Sequence, residues 1–164
     1  KWWIKKNNIK RLNIIPQKIA SIRMNNFRTI AFKLALFSSD SASLSKATTV
    51  YTAPASANAV PTDTLEVSQS QTDGGASNTG YTAGGNSLTS TTPVLSGDTA
   101  CCKFADTSFT SATFTARGCL IYNSSAANKA VCVVNFGADK TVTSGTFTVQ
   151  FPAQTAGNAI IQIA

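Results

Sequence analysis

The second half of the chain alternates. In "GTFTVQFP" (145–152), Phe147, Val149 and Phe151 fall on one side, and Thr146, Thr148 and Gln150 on the other. Successive side chains of a strand point to opposite faces, so a period of two marks an antiparallel strand with one covered and one wet face. The runs "ACCKFAD", "SFTSATFTARGCLIYN", "KAVCVVNFG" and "AIIQIA" are similarly apolar or alternating, and clusters of Asp, Gly, Asn, Ser and Pro separate them. β-Branched and aromatic residues dominate these runs. Short strands punctuated in this way predict an all-β fold, an antiparallel β-sandwich of the jelly-roll or immunoglobulin-like kind.

Upstream, the signals are sparser. "TIAFKLALFSS" (29–39) sets Phe32, Leu34 and Leu36 against Lys33 and Ala35, which predicts a half-buried strand. Residues 38–63 are rich in Ser, Ala and Thr and read as a long connection, with a short strand at "TTVYT" (48–52). "TLEVSQS" (64–70) alternates Leu65 and Val67 with polar neighbours and predicts another strand. "TDGGASNTGYTAGGNSLTS" (72–90) is dense in turn signals. Gly80, Gly84 and Gly85 there are expected to shape a loop ahead of a strand in "NSLTSTTPVL", because glycine tolerates positive φ.

Charge divides the chain. Residues 1–33 hold nine Lys or Arg and no acid, whereas residues 34–164 hold five Lys or Arg and seven Asp or Glu. An electrostatic partner therefore meets the N-terminal arm and not the mildly acidic body. Lys, Asn and Ile make up fourteen of the first 23 residues, and Met24 is the chain's one methionine. Residues 1–26 are accordingly either a basic arm or a translated leader upstream of a start at Met24. Residues 27–164 read as one β-sandwich domain. Nucleic acid is an expected partner only through residues 1–23, since the body lacks a basic patch. No apolar run approaches the ~20 residues of a membrane span.

Catalytic and metal chemistry find little footing. The chain has no histidine, so Ser-His and Cys-His nucleophile pairs cannot form. Glu66 is the single glutamate, and the aspartates at 40, 63, 73, 98, 106 and 139 stand in turn-like sequence. Cys101, Cys102, Cys119 and Cys132 lack paired zinc spacing and read as small buried thiols, with a Cys119–Cys132 disulfide open if their strands are neighbours. The glycine-rich loop is not followed by Lys-Ser/Thr, which argues against a phosphate cradle. The expectation is a protein that is not an enzyme and takes no cofactor.

Arg117 stands out in the otherwise uncharged "FTARGCLIYNSS" (114–125). Alternation puts it on the face of Cys119 and Ile121. A desolvated guanidinium there needs a carboxylate. Asp106 in "KFADTS" and Asp139 in "FGADKT" are the candidates for a structural clasp or a subunit contact. Gly118 beside Arg117 would let another backbone approach closely.

Taken in order, "FKLALFSSDSASLSKATTVYT", "GYTAGGNSLT", "FTARGCLIYNSS", "AVCVVNFGADKTVTSGTFTVQFP" and "AIIQIA" resemble a family of small virion structural proteins of tailed bacteriophages. The likeness runs from about Phe32 to Ala164 and omits the basic arm. At Asn135 the family often has Asp, which leaves Asp139 as the acid of that block. The resemblance implies a β-rich structural protein made in the host bacterial cytoplasm and carried in the virion. It implies a capsid decoration or cement protein that binds the major capsid protein, or a neck, tail or fibre-base component. Homo-oligomeric assembly with other virion subunits is the implied setting.

Overall fold

The computed structural model describes residues 28–38, 47–52, 66–67 and 80–163. The arm at 1–26 lies outside the described residues. So do Asp40, Asp63, Asp73 and all of "TLEVSQS" except Glu66 and Val67.

The described chain is all-β with two antiparallel sheets. Its strands are β1 (Phe32–Phe37), β2 (Asn86–Leu88), β3 (Val94–Ser96), β4 (Thr99–Cys102), β5 (Thr107–Asn123), β6 (Lys129–Val149) and β7 (Ile161–Ile163). They group into two compact units. One comprises the four-stranded sheet, ordered β2-β1-β5-β6, and the other the three-stranded sheet, ordered β3-β4-β7.

In the larger unit, β5 and β6 form a hairpin of 17 and 21 residues, several times the usual strand length. A hairpin this long stays in one unit only by bending, and β-bulges bend it. The register shifts at four places, between Phe109 and Ala112, Ala112 and Phe114, Ala116 and Gly118, and Ile121 and Tyr122. Two of them carry positive-φ residues other than glycine, Ser111 and Ser144. The sequence suggested separate strands in "KAVCVVNFG" and "GTFTVQFP" with a turn between them. They are instead one strand, and "NFGADK" is a bulge within it. The turn residues are real, but they make an outpocketing and not a reversal.

Alternation along β5 is strict. Phe109, Ala112, Phe114, Ala116, Gly118, Leu120 and Tyr122 are all buried, whereas Ser108, Thr110 and Thr113 between them are exposed. From residue 118 onward both faces are covered. β1 behaves likewise. Leu34 and Leu36 are buried on one side, Ala35 and Phe37 on the other, so this strand is more deeply set than a half-buried one. Ala35, Phe37, Tyr51, Leu120 and Tyr122 form one apolar cluster over the sheet, with Ala130 and Val133 packed against it.

The smaller unit is short-stranded. Cys101 and Cys102 are both fully buried although they point to opposite faces. Gln154 ties the unit together. It accepts from Thr91 Oγ1 at 2.9 Å, and its Nε2 donates to the carbonyls of Thr92 at 2.7 Å and Cys101 at 3.0 Å.

Candidate functional site

The most organised polar centre is one that sequence reasoning passed over. Glu66, the single glutamate, is only 2% exposed. All three tyrosines of the chain gather around it. Tyr51 Oη donates to Oε2 at 2.9 Å and Tyr81 Oη to Oε1 at 2.5 Å. The backbone N–H of Gly84 also donates to Oε1, at 2.6 Å. Three donors aimed at one carboxyl match the acceptor-only inventory of an ionised carboxylate.

The network extends outward with consistent polarity. The N–H of Leu36 in β1 donates to Tyr81 Oη at 3.0 Å, so that hydroxyl accepts from the sheet and donates to the acid. Tyr122 Oη donates to the carbonyl of Gly84 at 2.8 Å. Its ring stacks on Tyr51 with centroids 4.3 Å apart and planes 10° from parallel. Residues from β1, the 47–52 segment, the 66–67 segment, the 80–85 loop and β5 are thus joined at one carboxylate.

Two glycines make the loop possible. Gly84 and Gly85 hold φ of 86° and 66°, the left-handed region that β-carbons disfavour. A Cβ at Gly85 would run into the backbone carbonyl of Leu34. This loop therefore lies flat on β1, which is what brings the Gly84 N–H to Glu66. Gly80 is set just as closely against the backbone at Thr110 and Ala112, at the β5 bulge.

Burial and the Glu66 charge set the acid–base state of the cage. Tyr81 and Tyr51 are pushed well above the ordinary phenol range, first by burial and then by the neighbouring carboxylate. Tyr122 is pushed up to about 12 by the same two causes in the same order. All three phenols remain neutral donors over the physiological range. A sealed carboxylate bound by neutral phenols has no access to a substrate, so its chemistry is cohesive.

Arg117 belongs to a second arrangement. β5 and β6 are in register up to Ala116↔Lys140 and again from Gly118↔Asn135, so residues 136–139 of β6 face Arg117 alone. Asn135 Oδ1 accepts from the N–H of Gly137 at 2.8 Å, and Gly137 takes φ of 78°. Arg117 Nη1 then reaches Asp139 Oδ1 at 3.4 Å across the bulge. Gly118 admits the other strand here, since a Cβ on it would sit 2.7 Å from the Val134 carbonyl.

This arrangement corrects two expectations. Asp106 is not the partner, for it lies eleven positions back from Arg117 along the β5 chain, about 30 Å in extended backbone. The pair is also not desolvated, since the side chains are 42% and 45% exposed. Face alternation was right, but the buried part of that face begins only at Cys119. Asn135 serves as well as Asp would, because either side chain can accept from the N–H two residues on.

The cysteines are free thiols. Cys119 pairs with Val134 and Cys132 with Ile121, which makes the two cysteines diagonal neighbours, about 7–8 Å apart and beyond disulfide reach without backbone movement. Burial, with a smaller effect of Cys132, pushes Cys119 up to about 12. Among the described residues no group of three or more Cys, Asp or Glu converges as metal ligands would. No helix among them is long and apolar enough to cross a membrane.

Comparison with protein-family models, with curated proteins and with solved structures found no match.

Proposed function

We propose that this chain is a non-enzymatic structural protein of a tailed-bacteriophage virion, with decoration or cementing of the head shell as its role. One observation carries the reading. The blocks that resemble the phage family are the same ones that meet at the two polar centres. "TTVYT", "GYTAGG" and "LIYNSS" each contribute a tyrosine to the Glu66 cage, and "TAR" faces "NFGADK" across the bulge. The motifs thus fall where the scaffold is fixed, as expected of a building block, and not around an open cleft. The same reading takes the fold as an antiparallel β-sandwich, supported by the burial of β1 and late β5 on both faces. Its partners are then the major capsid protein and other virion subunits.

Quantitative mass spectrometry of purified particles tests the proposal. Copies in the hundreds, scaling with the capsid protein, are the result expected of a decoration protein. A dozen copies or so would move the role to neck, tail or fibre base. Absence from washed particles would overturn the virion reading.

A further inference from the structure

The four-stranded sheet ends at β6, and part of its outer edge is open among the described residues. Its beginning is closed. Val50 bridges Lys129, the N–H of Ala130 donates to Thr49 O at 2.9 Å, and the N–H of Tyr51 donates to Asn128 O at 2.8 Å. Its middle is broken by the 136–139 bulge. Between them lies "VCVVN" (131–135), a stretch with no charge and no proline. Natural edge strands guard against pairing with such features, and this stretch has neither. It also shows apolar surface to solvent. Val131 is 41% exposed, Val134 36%, and Val50 at the closed end 45%.

The charges flanking this stretch identify what fits it. Exposed Lys129 stands at one end and exposed Asp139 at the other. A second copy laid antiparallel on the same edge would bring the basic end of each chain to the acidic bulge of the other. Antiparallel partners must also share face and hydrogen-bonding direction, which forces the two-fold axis onto a residue and not between two. An axis at Val133 sets Cys132 opposite Val134 of the second copy, valine surface against thiol and valine surface. We propose that the chain forms an isologous dimer through residues 131–135 of β6, with Lys129 of each copy beside the Asp139 bulge of the other. The pairing consumes the open edge of both copies, so it closes instead of growing into fibres. It stands independently of the virion role.

The arrangement places the two copies of Cys132 diagonally across the axis, about 7–8 Å apart. Cys132 is also the one cysteine that is not fully buried. The test is sedimentation of the full chain over a concentration series, together with a short bis-maleimide cross-linker. The expected result is a species of twice the 17.1 kDa chain mass that cross-links through Cys132. Cys132→Ser should abolish the cross-link and keep the dimer. Val134→Lys and Lys129→Glu should each weaken dimerisation by at least about tenfold, through repulsion at the axis and at the bulge, with the sheet circular dichroism unchanged. A folded chain that sediments as a monomer throughout overturns the proposal. So does a dimer that neither substitution weakens, or open-ended aggregation.

Discussion

Arg117 and Asp139 meet across the one place where β6 carries a run of residues that β5 does not match. Their contact is a brace over an exposed bulge, at 3.4 Å and with both side chains nearly half in solvent. Solvent screening keeps such pairs weak. Arg117→Ala should therefore lower stability by no more than about 1 kcal/mol, and Asp106→Asn should not couple to it. A double-mutant cycle of Arg117→Ala with Asp139→Asn, read by chemical denaturation, measures the pair. A coupling well above that bound would mean the pair is desolvated after all.

Glu66 should matter far more. Glu66→Ala leaves the Tyr51 and Tyr81 hydroxyls and the Gly84 N–H without their acceptor in a buried place. A loss of about 3–5 kcal/mol is expected. Tyr81→Phe removes a hydroxyl that serves two partners and should cost about 1–3 kcal/mol. Tyr122→Phe keeps the stacked ring and loses one bond to a neutral carbonyl, so about 1 kcal/mol is expected. Thermal melts of the three variants check the order. If Tyr122→Phe were the most damaging, the carboxylate would not be the centre of the network.

Strands were legible where one face is wet. The Phe and Thr alternation of late β6 and the Phe and Ser/Thr alternation of early β5 follow directly from sequence. β1 was legible as a strand but not as one covered on both sides, because Lys33 and Ala35 look like solvent residues until a loop lies over them. Glu66 was hidden for a different reason. Its partners stand 15 residues away on either side and 56 residues away at Tyr122, and no local pattern links them. The available signal was scarcity: one glutamate between two apolar residues, and three tyrosines each beside a turn. The "NFGADK" bulge looks like a hairpin turn because an Asx turn and a positive-φ glycine serve both purposes.

Gly85 and Gly97 separate two costs of replacing glycine. Both hold positive φ, 66° and 62°, but a Cβ at Gly97 meets nothing within 4 Å, whereas at Gly85 it enters the Leu34 backbone. Gly97→Ala should cost about 1 kcal/mol, the strain of the left-handed conformation alone. Gly85→Ala adds displacement of the loop that carries Gly84 and should cost at least about 3 kcal/mol. Equal losses in denaturant titrations would show that the loop is free to lift from β1.

Alkali should open the cage from its tyrosines. Folding raises Tyr122 from the ordinary 10 to about 12, and raises Tyr81 and Tyr51 further. Below pH 10 each phenol is neutral in both the folded and unfolded chain, so this stabilisation is fully present. Between pH 10 and 12 the unfolded chain releases protons that the folded chain retains, and stability falls as pH rises. Cys119, raised from 9 to about 12, acts in the same direction and begins earlier. Tyrosinate absorbance should therefore appear late and together with loss of the sheet circular dichroism. Glu66→Gln keeps the shape and removes the carboxylate charge that opposes phenol ionisation, so in any fraction that stays folded the phenols should titrate at lower pH. Three tyrosines ionising near pH 10 in a chain that keeps its native spectrum would rule out the sealed cage.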